Sequence, residues 1–186
     1  MKKVAAIRNR NTTKHIYVTA RPGNPAQGIL RAGQLLLPCA LGRSGIATFK
    51  REGDGASPRG AYPLRRAFYR ADRVRRPATR LPLTVLSFED GWCDATFNRN
   101  YNRHVRQPYP ASAERMWRDD ALYDMVVVVG HNDRPRVQGA GSAIFMHVAN
   151  AGPKGLMPTE GCIAMRPRDL RLLMEWIGSQ TMLHIL

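Results

Sequence analysis

Apolar residues along this 186-residue chain gather into short runs, and few stretches repeat at helical spacing. Residues 15–20 (HIYVTA) and 34–41 (QLLLPCAL) read as strands, separated by the Gly/Pro-rich RPGNPAQG. GDGASPRG at 53–60 predicts a turn cluster, followed by strands over 61–69 and 83–88. The clearest strands are 123–129 and 143–149, rich in β-branched and aromatic residues and bounded by glycine. Between them GHNDRPRVQGAG reads as a turn-rich loop. Two segments suggest helices. Residues 111–117 form a short candidate capped by Ser112, and 167–177 (PRDLRLLMEWI) is the stronger one. The latter has Pro at its start, Asp169 in its first turn and Gly178 just past its end. Many short strands and one late helix predict a mainly β domain, without βαβ repeats.

Length favours one domain across 1–186, with residues 1–13 as a loose basic arm or edge segment. An apolar content of 44% argues against global disorder, and runs such as 125–129 fall far short of the ~20 residues that span a bilayer. Charge adds a second theme. Lys plus Arg total 29 against 14 Asp plus Glu, a formal +15. That balance points to anionic partners: nucleic acid, an acidic membrane surface, or an acidic polymer such as bacterial cell wall. Arginines outnumber lysines 24 to 5, which suits carboxylates and phosphates and equally fits a coding bias. Residues 59–80 hold eight Arg and one Asp, either a solvated face or a dock for a polyanion. No RNA-recognition, helix-turn-helix or zinc-finger signature accompanies them, so nucleic acid is the weaker partner.

Cys39, Cys93 and Cys162 form no disulfide framework and no CxxC pair. Cys39 and Cys93 are expected to pack or to pair. Cys162 stands apart, in a Thr-Glu-Gly-Cys turn 15 residues after His147 on a predicted strand. A histidine can take the proton of a thiol and free the nucleophilic thiolate. Gly161 lets the backbone turn tightly beside it, and backbone N–H groups of such a turn can face an oxyanion. The plainer alternative is a small buried thiol.

These residues resemble the L,D-transpeptidase family, the YkuD-type catalytic domain of bacterial cell-wall enzymes. The family pattern is a His, a loop, then Ser/Thr-x-Gly-Cys and an apolar residue; here these are His147, Thr159, Gly161, Cys162 and Ile163. GDGASPRGAYPL resembles the family's Pro-x-Gly turn and strand, and the likeness runs from about residue 34 to the C-terminus. Departures mark a divergent branch. Glu160 stands where many members carry a second His, Ala164 where many have Arg or Asn, and the His-to-Thr loop is short. Arg166 is then a candidate for the missing cation, and Glu160 for a changed acceptor.

The resemblance implies a mainly β fold, a curved sandwich of mixed sheets with one flanking C-terminal helix. It also implies peptidoglycan cross-linking through a Cys162 thioester, with His147 as base and the Val148 carbonyl orienting its ring. Thr159, Glu160, Arg166, His131, Trp92, Tyr101 and Arg103 are the candidate substrate-binding residues, the last three in the loop WCDATFNRNYNR. Zinc on His131, His147 and Cys162 fits no ligand motif, so neither metal nor other cofactor is expected. Peptide stems and an anionic wall polymer are the expected partners, with no obligate protein partner. A hydrolase using the same thiol and a non-catalytic binding module are the alternatives. The chemistry belongs in the periplasm or cell wall, although Arg8 and Arg10 interrupt any export signal after Met1-Lys2-Lys3.

Overall fold

The computed structural model describes residues 12–153 and 155–186. Its strands are β1 (His15–Arg21), β2 (Asn24–Ala32), β3 (Leu35–Ala40), β4 (Ile46–Ala47), β5 (Ser57–Pro58), β6 (Gly60–Tyr69), β7 (Leu83–Val85) and β8 (Asp90–Cys93). They continue with β9 (Arg103–Arg106), β10 (Ala113–Arg115), β11 (Met125–Val129), β12 (Phe145–Val148), β13 (Ala151–Gly152), β14 (Gly155–Leu156) and β15 (Ile163–Met165). Helix α1 (Pro167–Met174) and strand β16 (Met182–Ile185) complete the chain. The architecture is mainly β with mixed sheets and one late helix, as the pattern and the resemblance implied.

The main sheet runs β11-β12-β15-β3-β2-β1-β16-β6-β7, and β11 also pairs with β6. The sheet therefore bends until it closes on itself, which removes most of the exposed edges a curved sheet would leave. Closure depends on joining the first and last described strands. β1 runs parallel to β16, with Ile16 opposite Leu183 and Val18 opposite Ile185. All four side chains are fully buried. They join a core of Leu30, Met125, Val127, Met146 and Met165, onto which α1 docks Leu170, Leu173 and Met174.

The outer face of β11, β12 and β6 is covered in its turn. The short sheet β10-β8-β9 lies over it, and Phe68, Trp92, Met116, Tyr123, Val126, Val128 and Phe145 form a second apolar cluster there. Strand β11 is consequently buried on both faces. Alternation sends Val127 inward and Val126 and Val128 outward. Cys162 belongs to this outer cluster.

Several elements differ from the sequence reading. The RPGNPAQG segment lies largely within β2, because Pro22 and Gly23 make a tight hairpin and Gly28 packs where a Cβ would sit 2.9 Å from the Thr19 carbonyl. Residues 111–117 are not helical: Ala113 to Arg115 pair antiparallel with β8, and sheet pairing outweighs local propensity. Helix α1 stops at Met174 rather than 177, where Glu175 and Trp176 bond back three residues to Leu172 and Leu173. Residues 1–11 of the expected basic arm lie outside the described residues. Thr13 itself is tied down: its N–H donates to Trp176 and its carbonyl accepts from Thr181 Oγ1 at 2.7 Å. All three cysteines are free.

Because β1 closes the sheet, Ile16→Ala is expected to destabilise the fold by about 2–5 kcal/mol, measured as a shift in the urea midpoint. A cost near zero would show that β1 is a dispensable edge.

Candidate active site

Cys162 ends the turn that leads into β15, and Thr159 builds that turn. The Thr159 N–H donates to the Leu41 carbonyl, its Oγ1 donates to the Cys162 carbonyl at 2.7 Å, and the same oxygen accepts the Gly161 N–H at 3.1 Å. Gly161 has φ of +139°, and a Cβ there would lie 2.7 Å from the Ala56 carbonyl. Both conformation and space therefore demand glycine. Of the turn's backbone N–H groups, that of Gly161 is already bonded to Thr159.

Strand pairing then brings in the histidine. β12 runs parallel to β15 with His147 opposite Ala164 and Met146 opposite Ile163. Alternate residues of paired strands share a face, so His147 and the residue just before β15, Cys162, project together onto the outer face. The Cys162 thiol donates to the Ala143 carbonyl at 3.2 Å, and the Phe145 N–H donates to Sγ at 3.3 Å. His147 Nδ1 donates to the Val148 carbonyl at 2.8 Å, and the Tyr123 ring meets the imidazole edge-on at 5.4 Å. A proton held on Nδ1 leaves Nε2 with its lone pair, the form a general base needs.

Burial sets the resting protonation of both groups. It is the main cause pushing the Cys162 thiol up to about 12, with the negative charge of Glu114 adding to it. Burial likewise pushes His147 down to about 4, against the Val148 hydrogen bond. The pair rests as thiol and neutral imidazole, so proton transfer has to accompany attack.

Both side chains open onto one cleft of about 540 Å³. Its acids are Glu52, Asp94, Glu114 and Glu160; its cations are Lys50 and Arg118. Each cation is already paired, Lys50 with Asp54 and Arg118 with both oxygens of Asp120. Glu114 accepts the Tyr123 hydroxyl at 2.5 Å, and burial raises its pKa from the ordinary value, against that hydrogen bond and the charge of Arg118. Asp94 Oδ1 is buried with no hydrogen-bond partner among the described residues. In a chain of net charge +15 the cleft is locally acidic.

The remaining candidates divide. Thr159 and Glu160 line the cleft, with Glu160 at an exposed rim and ion-paired to Arg43. Arg166 does not line it: this residue is exposed at the start of α1, and the cleft's cations are Lys50 and Arg118, which the sequence reading did not single out. Trp92, Arg103 and His131 line a second cavity of about 430 Å³ instead. The Trp92 ring stands edge-on to Phe145 at 5.1 Å, a buried wall rather than a lid. His131 is held by the Ala140 carbonyl at 2.9 Å and lines the second cavity, whereas His147 and Cys162 line the first. Tyr101 is buried, donates to Glu52 and accepts the Gly141 N–H, so it is structural.

Asn102, a member of the loop WCDATFNRNYNR, has a structural role that its sequence does not reveal. Buried and at φ of +54°, it takes the Trp92 indole N–H and the Ala143 N–H on Oδ1, and donates from Nδ2 to His131 and Asn132. Ala143 is in turn the acceptor of the Cys162 thiol. Asn102 thus holds the wall between the two cavities.

A family model, the L,D-transpeptidase catalytic domain (YkuD), matches residues 11–185. The likeness therefore reaches back through β1 and β2, beyond the start near residue 34 read from the motifs. No curated protein and no solved structure matches the chain.

With a thiol pKa of about 12, the thiolate fraction at pH 7 is on the order of one in 10⁵. Iodoacetamide alkylation of Cys162, followed by peptide mass mapping, is expected to quicken about tenfold per pH unit from 7 to 10 with no plateau. A plateau near pH 7 would reveal a preformed thiolate–imidazolium pair.

Proposed function

The chain belongs to the L,D-transpeptidase catalytic-domain (YkuD) family, a cysteine-dependent peptidoglycan-modifying enzyme, and we propose that it cross-links peptide stems by transpeptidation through a Cys162 thioester. In the first step Sγ bonds to the carbonyl carbon after the L-residue of a stem, and the C–N bond to the terminal residue breaks. His147 Nε2 takes the thiol proton and delivers it to the departing amine. In the second step an amine of another stem forms a new C–N bond at the thioester and the C–S bond breaks. The amine's proton passes through His147 back to Sγ.

Burial favours this order of events. A thiol and imidazole that rest neutral in an apolar cluster carry no charge to be desolvated before the donor binds, and charge develops only as the donor carbonyl is attacked. The oxyanion is then served by the turn at Cys162, whose Gly161 N–H is excluded by Thr159.

The acidic lining of the cleft is what favours cross-linking over hydrolysis. Water gains nothing from Asp94 and Glu114, whereas an amine acceptor arrives as an ammonium, is held beside the thioester by these acids, and releases one proton to solvent before its free amine attacks. The unpartnered Asp94 Oδ1 offers that ammonium a hydrogen-bond acceptor. The site of action in this reading is the bacterial periplasm or wall.

Incubation with disaccharide-tetrapeptide and separation of the products by mass tests the reading. Cross-linked dimers are expected from the wild-type protein and none from Cys162→Ala. In Asp94→Asn/Glu114→Gln the ratio of dimer to trimmed monomer is expected to fall about tenfold, a loss of ~1.4 kcal/mol of preference for amine over water. Trimmed monomer alone from the wild type would make the enzyme a hydrolase.

A further inference from the structure

The second cavity carries chemistry that the catalytic reading does not use. Arg65 and Arg66 reach it from β6, Arg103 from β9, and Arg134 and Arg136 from the loop after β11. Asp133 is the acid in its lining, and it is bound to Arg65 through Nε at 2.7 Å and a second nitrogen at 3.2 Å. Among the described residues the other four arginines have no acidic ion-pair partner. Four guanidinium groups thus converge on about 430 Å³ whose acid, Asp133, is already held by Arg65.

Local structure holds them there. Adjacent residues of a regular strand point to opposite faces, yet Arg65 and Arg66 both line this cavity. The register between β6 and β11 shifts at that place: Val127 faces Ala67 and Val129 faces Leu64, so β6 has one extra residue, a bulge that re-aims a side chain. The loop bearing Arg134 and Arg136 is closed by Asn132, which donates to the Val137 and Gly141 carbonyls and accepts the Val137 N–H. Arg136 Nε donates to the Asn102 carbonyl, tying the arginines to the wall shared with the catalytic cleft. Burial first, and then the positive charges of Arg103 and Arg134, push the Arg136 guanidinium below its ordinary value, against the opposing charge of Asp133.

We propose that this cavity is a second binding site for the carboxylates of a peptidoglycan peptide stem, separate from the cleft in which Cys162 reacts. Guanidinium forks match carboxylate geometry, and converging forks suit a compact group with two or three carboxylates. An extended single-stranded nucleic acid needs a long groove and open aromatic faces for stacking. Here the aromatic rings are occupied: Trp92 lies against Phe145 and donates to Asn102, and His104 stacks on Phe68 at 5.7 Å. The choice of a stem as source of the carboxylates rests on the proposed function. Its consequence is avidity, because a strand anchored by one stem at the arginines presents its neighbours to the cleft.

Calorimetric titration of the full chain with a disaccharide-tripeptide, which lacks the terminal bond to be cleaved, tests this. Binding is expected in the wild type and in Cys162→Ala, and is expected to weaken at least tenfold in Arg66→Gln/Arg134→Gln, two exposed positions whose replacement leaves the core intact. Equal affinity in the double variant, or no binding at all, would overturn the proposal. So would tenfold tighter binding of inorganic phosphate or of a single-stranded oligonucleotide to the same arginines. If the tripeptide binds through the arginines while Cys162 never becomes acylated, the second site stands and the transpeptidase reading falls.

Discussion

The parallel pairing of β12 with β15 is the contact on which the rest of the site depends. It sets His147 and Cys162 on one face, and the turn made by Thr159 and Gly161 fixes the height at which the thiol enters. Because that face is roofed by the β10-β8-β9 sheet, both groups are held neutral. A buried neutral thiol of this kind is poorly reactive toward alkylation and oxidation, and in the proposed mechanism it becomes nucleophilic when a bound acyl donor draws the proton across.

Charge is distributed with the same economy of space. The arginine-rich stretch at 59–80 does not make one docking face. Arg70 is buried, bonded to both oxygens of Asp72 and laid over Trp117 at 3.6 Å, while Arg73 pairs with Asp124. Only Arg65 and Arg66 of that stretch reach the second cavity, where they join arginines from far along the chain. The catalytic cleft on the other side of Asn102 is lined mainly by acids. A single net charge of +15 thus resolves into an acidic cleft and a basic cavity separated by one buried wall.

Much of this was legible in the sequence, and the limits have physical causes. The β-branched run at Met125 to Val129 and the Thr-Glu-Gly-Cys turn carry their meaning locally, in propensity and in glycine's freedom. β2 was hidden because its Pro and Gly residues serve a hairpin and a close backbone approach, which composition alone reads as a loop. Glu114 and Asp94 were missed for another reason. Each is an ordinary acid in its own segment, and only the pairing of β10 with β8 brings them to the cleft beside Cys162. Trp92, Arg103 and His131 were grouped with the substrate by residue type, and the fold sends them to the other side of the wall.

The central claim is that a thiol resting neutral on β15's threshold becomes the acyl carrier. Intact-mass spectrometry of the protein during turnover of a tetrapeptide stem, with proteolytic mapping of the adduct, tests it most directly. The account predicts one acyl group, carried by Cys162 and absent from His147→Gln at equal time. An adduct on Cys39 or Cys93, or turnover without any covalent intermediate, would contradict it.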